Sequence, residues 1–174
     1  VVAISRDRVK ASELERIEDL TAIKWKGRIC TRPGSHVYNR SLLASIINAN
    51  GPEKAEIWAK GLVANLARRP QGNDRAQIKA IHSGECDLGL VNNYYYGKLL
   101  NSKVADQRLW AKSVSLVFMN QNDRGNHVNI SGGGLVKYSK NRENGIKLLE
   151  FLTGELAQKL YGEINYEYPG PSVY

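Results

Sequence analysis

No run of eighteen apolar residues occurs in this 174-residue chain, so nothing in it reads as a membrane-spanning helix. The signatures of catalysis are missing too: there is no Ser, His and Asp order, no paired-carboxylate motif and no phosphate-cradling GxxxxGK(S/T). Gly132-Gly133-Gly134 leads into Leu135-Val136-Lys137 instead of joining a strand to a helix, which makes it a poor phosphate loop. The three histidines stand apart. His82 ends a helical pattern and His127 lies in a strand-like segment, so both are expected to be structural, while His36 is placed to meet an anion. Cysteine is scarce as well. Cys30 and Cys86 each fall inside an apolar strand-like run, neither has a CxxC or nearby His partner, and metal binding by the pair is not expected. Buried thiols are the expected state; neighbouring parallel strands would permit a disulfide, and spacing alone does not decide.

Lys and Arg number 25 against 17 Asp and Glu, a formal charge of +8. The cations are scattered, with no block of five or six and no basic and aromatic interleaving, so solvated helix faces are expected and a nucleic-acid surface is not. The chain opens Val1-Val2-Ala3-Ile4-Ser5-Arg6, a strand pattern and not a signal peptide, and the lack of an initiator Met is expected of a processed or trimmed chain.

What is present is an alternation of strand-like and helix-like segments. Strands are expected at Val1 to Ile4, Gly27 to Thr31, Cys86 to Val91 and Val114 to Met119, with an edge strand at His127 to Ile130. Ser12 and Glu15 stand at capping-box spacing ahead of a short helix or turn. Helical periods run from His36 to Ala49, from Pro52 to Asn65 with Ile57, Trp58, Leu62 and Val63 on one side, and from Arg75 to His82 behind an Asn73-Asp74 cap. Two helices broken at Gly154 are expected within Asn141 to Tyr161, before a Pro/Gly-rich tail from Tyr166 to Tyr174. Such alternation implies an α/β fold with a mainly parallel sheet flanked by helices.

The densest chemical feature is Val91-Asn92-Asn93-Tyr94-Tyr95-Tyr96, where three tyrosines follow a buried strand. Gly34-Ser35-His36-Val37-Tyr38 also follows a strand, so in a parallel sheet Tyr38, Tyr94 and Tyr95 open onto one edge, where ligands of such sheets collect. Phenolates are hard anionic donors, and their deprotonation from a reference pKa of about 10 calls for a highly charged cation such as Fe(III). The ordinary alternative is that adjacent tyrosines pack alternately in core and surface, which suits Tyr96 best as the start of the next helix. Pro33-Gly34-Ser35 opens a helix and offers backbone N–H groups to an anion, with Ser35 also serving as N-cap.

Several segments in order resemble the ferric-iron-binding periplasmic proteins of ABC transporters, in their FutA-like branch. They are Trp25 to Cys30, Gly34 to Asn39, Pro70-Gln71-Gly72-Asn73-Asp74-Arg75, Gly84 to Asp87, Val91 to Tyr95 and His127 to Gly132. The resemblance implies a type II periplasmic-binding-protein fold, two α/β lobes with iron in the cleft between them. It implies residues 1–6 as a crossing strand, 7–118 as the second lobe, 119–131 as the returning segment and 132–174 as the C-terminal part of the first lobe. Tyr38, Tyr94 and Tyr95 are then metal ligands, Gly34, Ser35 and His36 meet an anion such as carbonate or a solvent, and Asn73 and Asn92 stand behind them.

The same resemblance implies capture of Fe(III) in the periplasm and its delivery to a membrane permease and ATPase, with no enzymatic step. Relatives carry an N-terminal lobe segment with further His or Tyr ligands. The present chain, an incomplete two-lobe protein on this reading, is therefore expected to expose apolar surface, to need that segment, or to self-associate. Two other readings stay open: a same-fold protein for a small anion or oxyanion, and an effector-sensing domain of a transcription regulator, against which the lack of a helix-turn-helix counts.

Overall fold

The computed structural model describes residues 1–170; the end of the expected tail, residues 171–174, lies outside the described residues. The chain divides into two compact units, one from Val1 to Asn129 and the other from Ile130 onward.

In the first unit four short strands form one sheet: β1 (Val2–Ser5), β2 (Ile29–Cys30), β3 (Leu88–Leu90) and β4 (Val114–Val117), in the order β2-β3-β1-β4. The sheet is mixed. β2 pairs parallel with β3, while β1 runs antiparallel to both β3 and β4, so three strands share a direction and β1 opposes them. Side-chain alternation divides the core. Val2, Ile4, Ile29, Leu88 and Leu90 face a layer holding Leu20, Trp25, Ile46 and Trp58. Ala3, Cys30 and Val114 face the opposite layer, with Ile78, Ile81 and Leu99.

Helices α1 (Val37–Asn50) and α2 (Pro52–Ala64) cover the first face, and α3 (Asp74–His82), α4 (Asn93–Leu100) and α5 (Ala105–Lys112) the second. Ala55, Trp58 and Leu62 bury one stripe of α2 at helical spacing, but Ile57 and Val63 are 70% and 65% exposed. The expected single apolar side of α2 is therefore narrower than the sequence suggests, because positions 57 and 63 each lie one step, about 100°, off the buried stripe.

Three local expectations are corrected. The segment from Ala11 to Thr21 forms two three-ten turns whose reach-back contacts come from other residues than Ser12 and Glu15. The Glu13 carboxylate accepts from Lys10 N at 3.0 Å and Asp19 from Arg16 N at 2.8 Å. His127 to Ile130 forms no strand; side chains anchor its first part, with Ser41 Oγ 3.2 Å from His127 Nε2 and Asn129 Nδ2 donating to Asn92 at 2.9 Å. Cys30 and Cys86 are not thiols but a disulfide with Cα atoms 5.9 Å apart. Parallel pairing puts Cys30 opposite Gly89, so Cys86, just before β3, arrives beside it on the same face of the sheet.

The second unit holds α6 (Arg142–Thr153) and α7 (Glu155–Leu160), broken at Gly154 as expected, then a wider turn at Tyr161–Asn165. Among its described residues only Ala157 counts as buried apolar core, while Leu148, Phe151, Leu156 and Ile164 stay largely exposed. Among the described residues no helix is long and apolar enough to cross a membrane.

Candidate metal centre

β2 and β3 run parallel, so the chain leaves both at the same edge of the sheet, and each exit leads into a helix carrying tyrosine. After β2 the backbone turns through Pro33 and Gly34 into α1. The residue at the helix cap is His36, not Ser35: its Nδ1 lies 3.3 Å from Tyr38 N and its Nε2 meets Arg32 Nη2 at 2.8 Å. Gly34 and Ser35 lie exposed on the turn, and His36 N is already taken by the Pro33 carbonyl at 3.0 Å.

After β3, α4 begins at Asn93, earlier than the sequence suggested, with Asn92 extended at its cap. Tyr94 and Tyr95 therefore sit in its first turn, and Tyr96 packs against the core.

This arrangement brings the phenols together. Tyr94 donates its hydroxyl proton to Tyr38 at 2.9 Å, and the Tyr94 and Tyr95 rings lie 4.5 Å apart, tilted by 39°. A cation overlies each ring: Arg32 at 5.1 Å from Tyr38, Lys98 at 5.6 Å from Tyr94 and Arg75 at 5.4 Å from Tyr95. Burial, then the bond to Tyr38 and the proximity of Tyr95, push the Tyr94 phenol well above its usual range. Tyr94 is thus held as a neutral phenol, and only a ligand that strongly stabilises its oxyanion will deprotonate it.

Tyr38 borders a cavity of about 60 Å³, together with Leu42, Leu90, Asn92 and His127. That suits an ion or a few atoms, far below the roughly 300–1,000 Å³ of a metabolite pocket. Among the described residues no three His, Cys, Asp or Glu side chains gather as a metal site, so phenols are the concentrated donors.

Asn73 caps α3, its Oδ1 accepting from Ala76 N at 3.1 Å, and its side chain turns to that helix end. Asn92 instead donates to Asp74 Oδ2 at 3.2 Å. Sequence reasoning passed over Asp74 and Arg32. Asp74 is 1% exposed and Arg32 reaches it at 3.2 Å; burial raises the Asp74 carboxyl, against the pull of Asn92 and Arg32. The available signal was the Asn73-Asp74 pair itself, read only as a helix cap.

No protein-family model matches the chain. Iron uptake protein A1 of Synechocystis sp. is 50% identical over 169 residues, which make up 97% of this chain and 47% of that protein. The major ferric iron-binding protein of Neisseria meningitidis is 28% identical over 170 residues, 97% of this chain and 49% of its own. Among solved structures, the Trichodesmium FutA (IdiA) protein in complex with iron and citrate superposes with a TM-score of 0.94 at 50% identity, over 97% of this chain and 54% of the other. The ferric binding protein from Campylobacter jejuni gives a TM-score of 0.92 at 38% identity, over 97% and 54%.

The chain spans about half the length of the curated relatives it matches. Fold and topology thus define part of a type II periplasmic-binding protein. Within that class the chain is a homologue of the iron uptake and ferric-iron-binding proteins.

Proposed function

We propose that this chain carries the tyrosine-bearing lobe of a ferric-iron-capturing protein, the solute-binding component of an ABC importer. Fe(III) is taken up by Tyr38, Tyr94 and Tyr95 and passed to a membrane permease and its ATPase, with no bond made or broken in the solute beyond coordination. Residues 1–6 and 119–131 act as crossing segments, 7–118 as the second lobe and 132–174 as the return into the first, whose remaining residues supply the further ligands and close the cleft. The observation that carries the reading is the 2.9 Å approach of the Tyr94 and Tyr38 hydroxyls beside Tyr95, at the edge where β2 and β3 both end. A trivalent ion offsets three phenolates, whereas Ca²⁺ and Mg²⁺ normally take carboxylates and carbonyls. A small anion such as carbonate would complete the coordination from the exposed Gly34-Ser35 turn. The disulfide suits an oxidising compartment and supports a periplasmic site of action.

The test is a visible absorption titration with ferric citrate, in this chain and in a full-length protein containing it, with Tyr94→Phe/Tyr95→Phe beside each. A broad tyrosinate-to-iron band that vanishes in the double variant supports the reading. A band only in the longer protein places indispensable ligands outside this chain. No band in either overturns the iron reading in favour of anion capture, which should survive loss of the two phenols.

A further inference from the structure

We propose that Asp74 is a positioning residue that sets the spacing of the two tyrosine-bearing helices and ties both to the segment following β4; this rests on the tyrosine cluster being the ligand site. Asp74 is the first residue of α3, where the helix dipole favours a negative charge, and Ile78 and Ile81 fix that helix to the sheet. One of its oxygens, Oδ2, receives two donors, one from each tyrosine-bearing segment.

From the α1 side comes Arg32 Nη1 at 3.2 Å. The same guanidinium meets His36 at the α1 cap through Nη2 at 2.8 Å and lies over the Tyr38 ring. From the α4 side comes Asn92 Nδ2, also at 3.2 Å, from the cap residue two positions before Tyr94. The far end of Asn92 is held in turn, its Oδ1 accepting from Asn129 Nδ2 at 2.9 Å. A single buried oxygen is therefore the common anchor of Tyr38, of the Tyr94-Tyr95 turn and of Asn129.

The residue type matters. Arg32 is only 12% exposed, and an uncharged replacement at 74 leaves a buried guanidinium without its counter-charge. An amide in place of the carboxylate also turns one acceptor into a donor, so neither Arg32 nor Asn92, both donors to Oδ2, keeps its bond if the NH2 faces them. Either loss lets α1 and α4 shift relative to each other, and residues that orient ligands typically cost about 10- to 100-fold in metal affinity when removed.

The experiment compares Asp74→Asn with the unaltered protein in the full-length protein containing this chain, reading ferric affinity, the position and width of the tyrosinate-to-iron band, and the near-ultraviolet circular dichroism of the empty site. The expected result is about a 10-fold or greater loss of affinity, with a shifted or broadened band and altered tyrosine dichroism. A general loss of stability would not move the band of the molecules that remain folded. An unchanged band and an affinity within twofold overturn the proposal. If Asp74→Asn does not fold, Asn92→Ala cuts the α4 arm alone, and an unaltered band and affinity in that variant overturn it equally. Absence of any band in the unaltered protein instead refutes the iron reading, and the dichroism then still reports whether Asp74 holds the tyrosines.

Discussion

Tyr94 holds its proton tightly, and on the proposed iron reading this determines how the metal enters. Since burial and the neighbouring phenols raise its pKa, loading must displace a proton, and acid competes with the metal. Ferric affinity is therefore expected to fall as pH drops, with net proton release on loading below the phenol range. A pH-stat titration checks this, with Tyr94→Phe releasing fewer protons per iron bound. Two carboxylates of the unit, Glu18 and Asp87, behave in the opposite sense. Burial alone would raise Glu18, but hydrogen bonds from Arg124, Asn50 and Asn120 outweigh it and bring it from the ordinary 4.5 to about 2. Asp87 is likewise lowered against its burial by Arg8 and by Arg28, the latter at 2.6 Å. A carboxyl held below its unfolded pKa stabilises the fold above that value and surrenders the stabilisation as pH falls through the folded one. The first unit should thus lose stability from about pH 4.5 down to about 2, seen as a falling thermal midpoint that flattens in Glu18→Gln. Asp87→Ala should cost about 1–3 kcal/mol at neutral pH, since it takes the carboxylate from two guanidinium groups and leaves them only carbonyl acceptors.

Among the elements, α3 lies close against β3. A Cβ placed on Gly89 would meet Ile81 Cδ1 at 3.2 Å and Gln77 Cβ at 3.3 Å, so the helix carrying Asp74 lies against the strand that leads to the tyrosines. Gly89→Val should lift α3 and destabilise the unit by about 1–3 kcal/mol in a denaturant titration. It should weaken ferric binding as well, because the Asp74 anchor moves with the helix. This element was only partly legible in the sequence. The strand cores, the Asn73 cap and the break at Gly154 were readable because period, capping chemistry and glycine act locally. Asp74 was not, since its partners Arg32 and Asn92 are distant in sequence and only the parallel pairing of β2 and β3 brings them to one oxygen. The Cys30–Cys86 pairing was hidden for the same reason. The lost strand at His127 to Ile130 failed differently: alternation was present, but a contact of His127 with Ser41 and a bond donated by Asn129 to Asn92 hold the segment in place of a ladder.

At the scale of the whole molecule the dominant feature is exposed apolar area. The helices α6 and α7 form a groove bounded by Phe151, Leu152, Ala157, Leu160 and Ile164, and on the same two helices Leu148 and Leu156 are 56% and 61% exposed. Monomeric proteins rarely leave contiguous apolar surface open on this scale. The curated relatives are about twice as long as this chain, so a longer protein has residues available to cover the face. The 174-residue chain by itself should then bind a hydrophobic dye and show a weight-average mass that rises with concentration in sedimentation. Leu148→Lys/Leu156→Lys should lower both without changing the tyrosine dichroism of the first unit, since no residue of that site lies on α6 or α7. In a full-length protein the same pair of substitutions should instead lower the thermal midpoint, because there the lysines would be forced into a covered face. Dye binding and mass that stay flat with concentration in the unaltered 174-residue chain would show that the face is not adhesive, and that its apolar residues are ordinary surface.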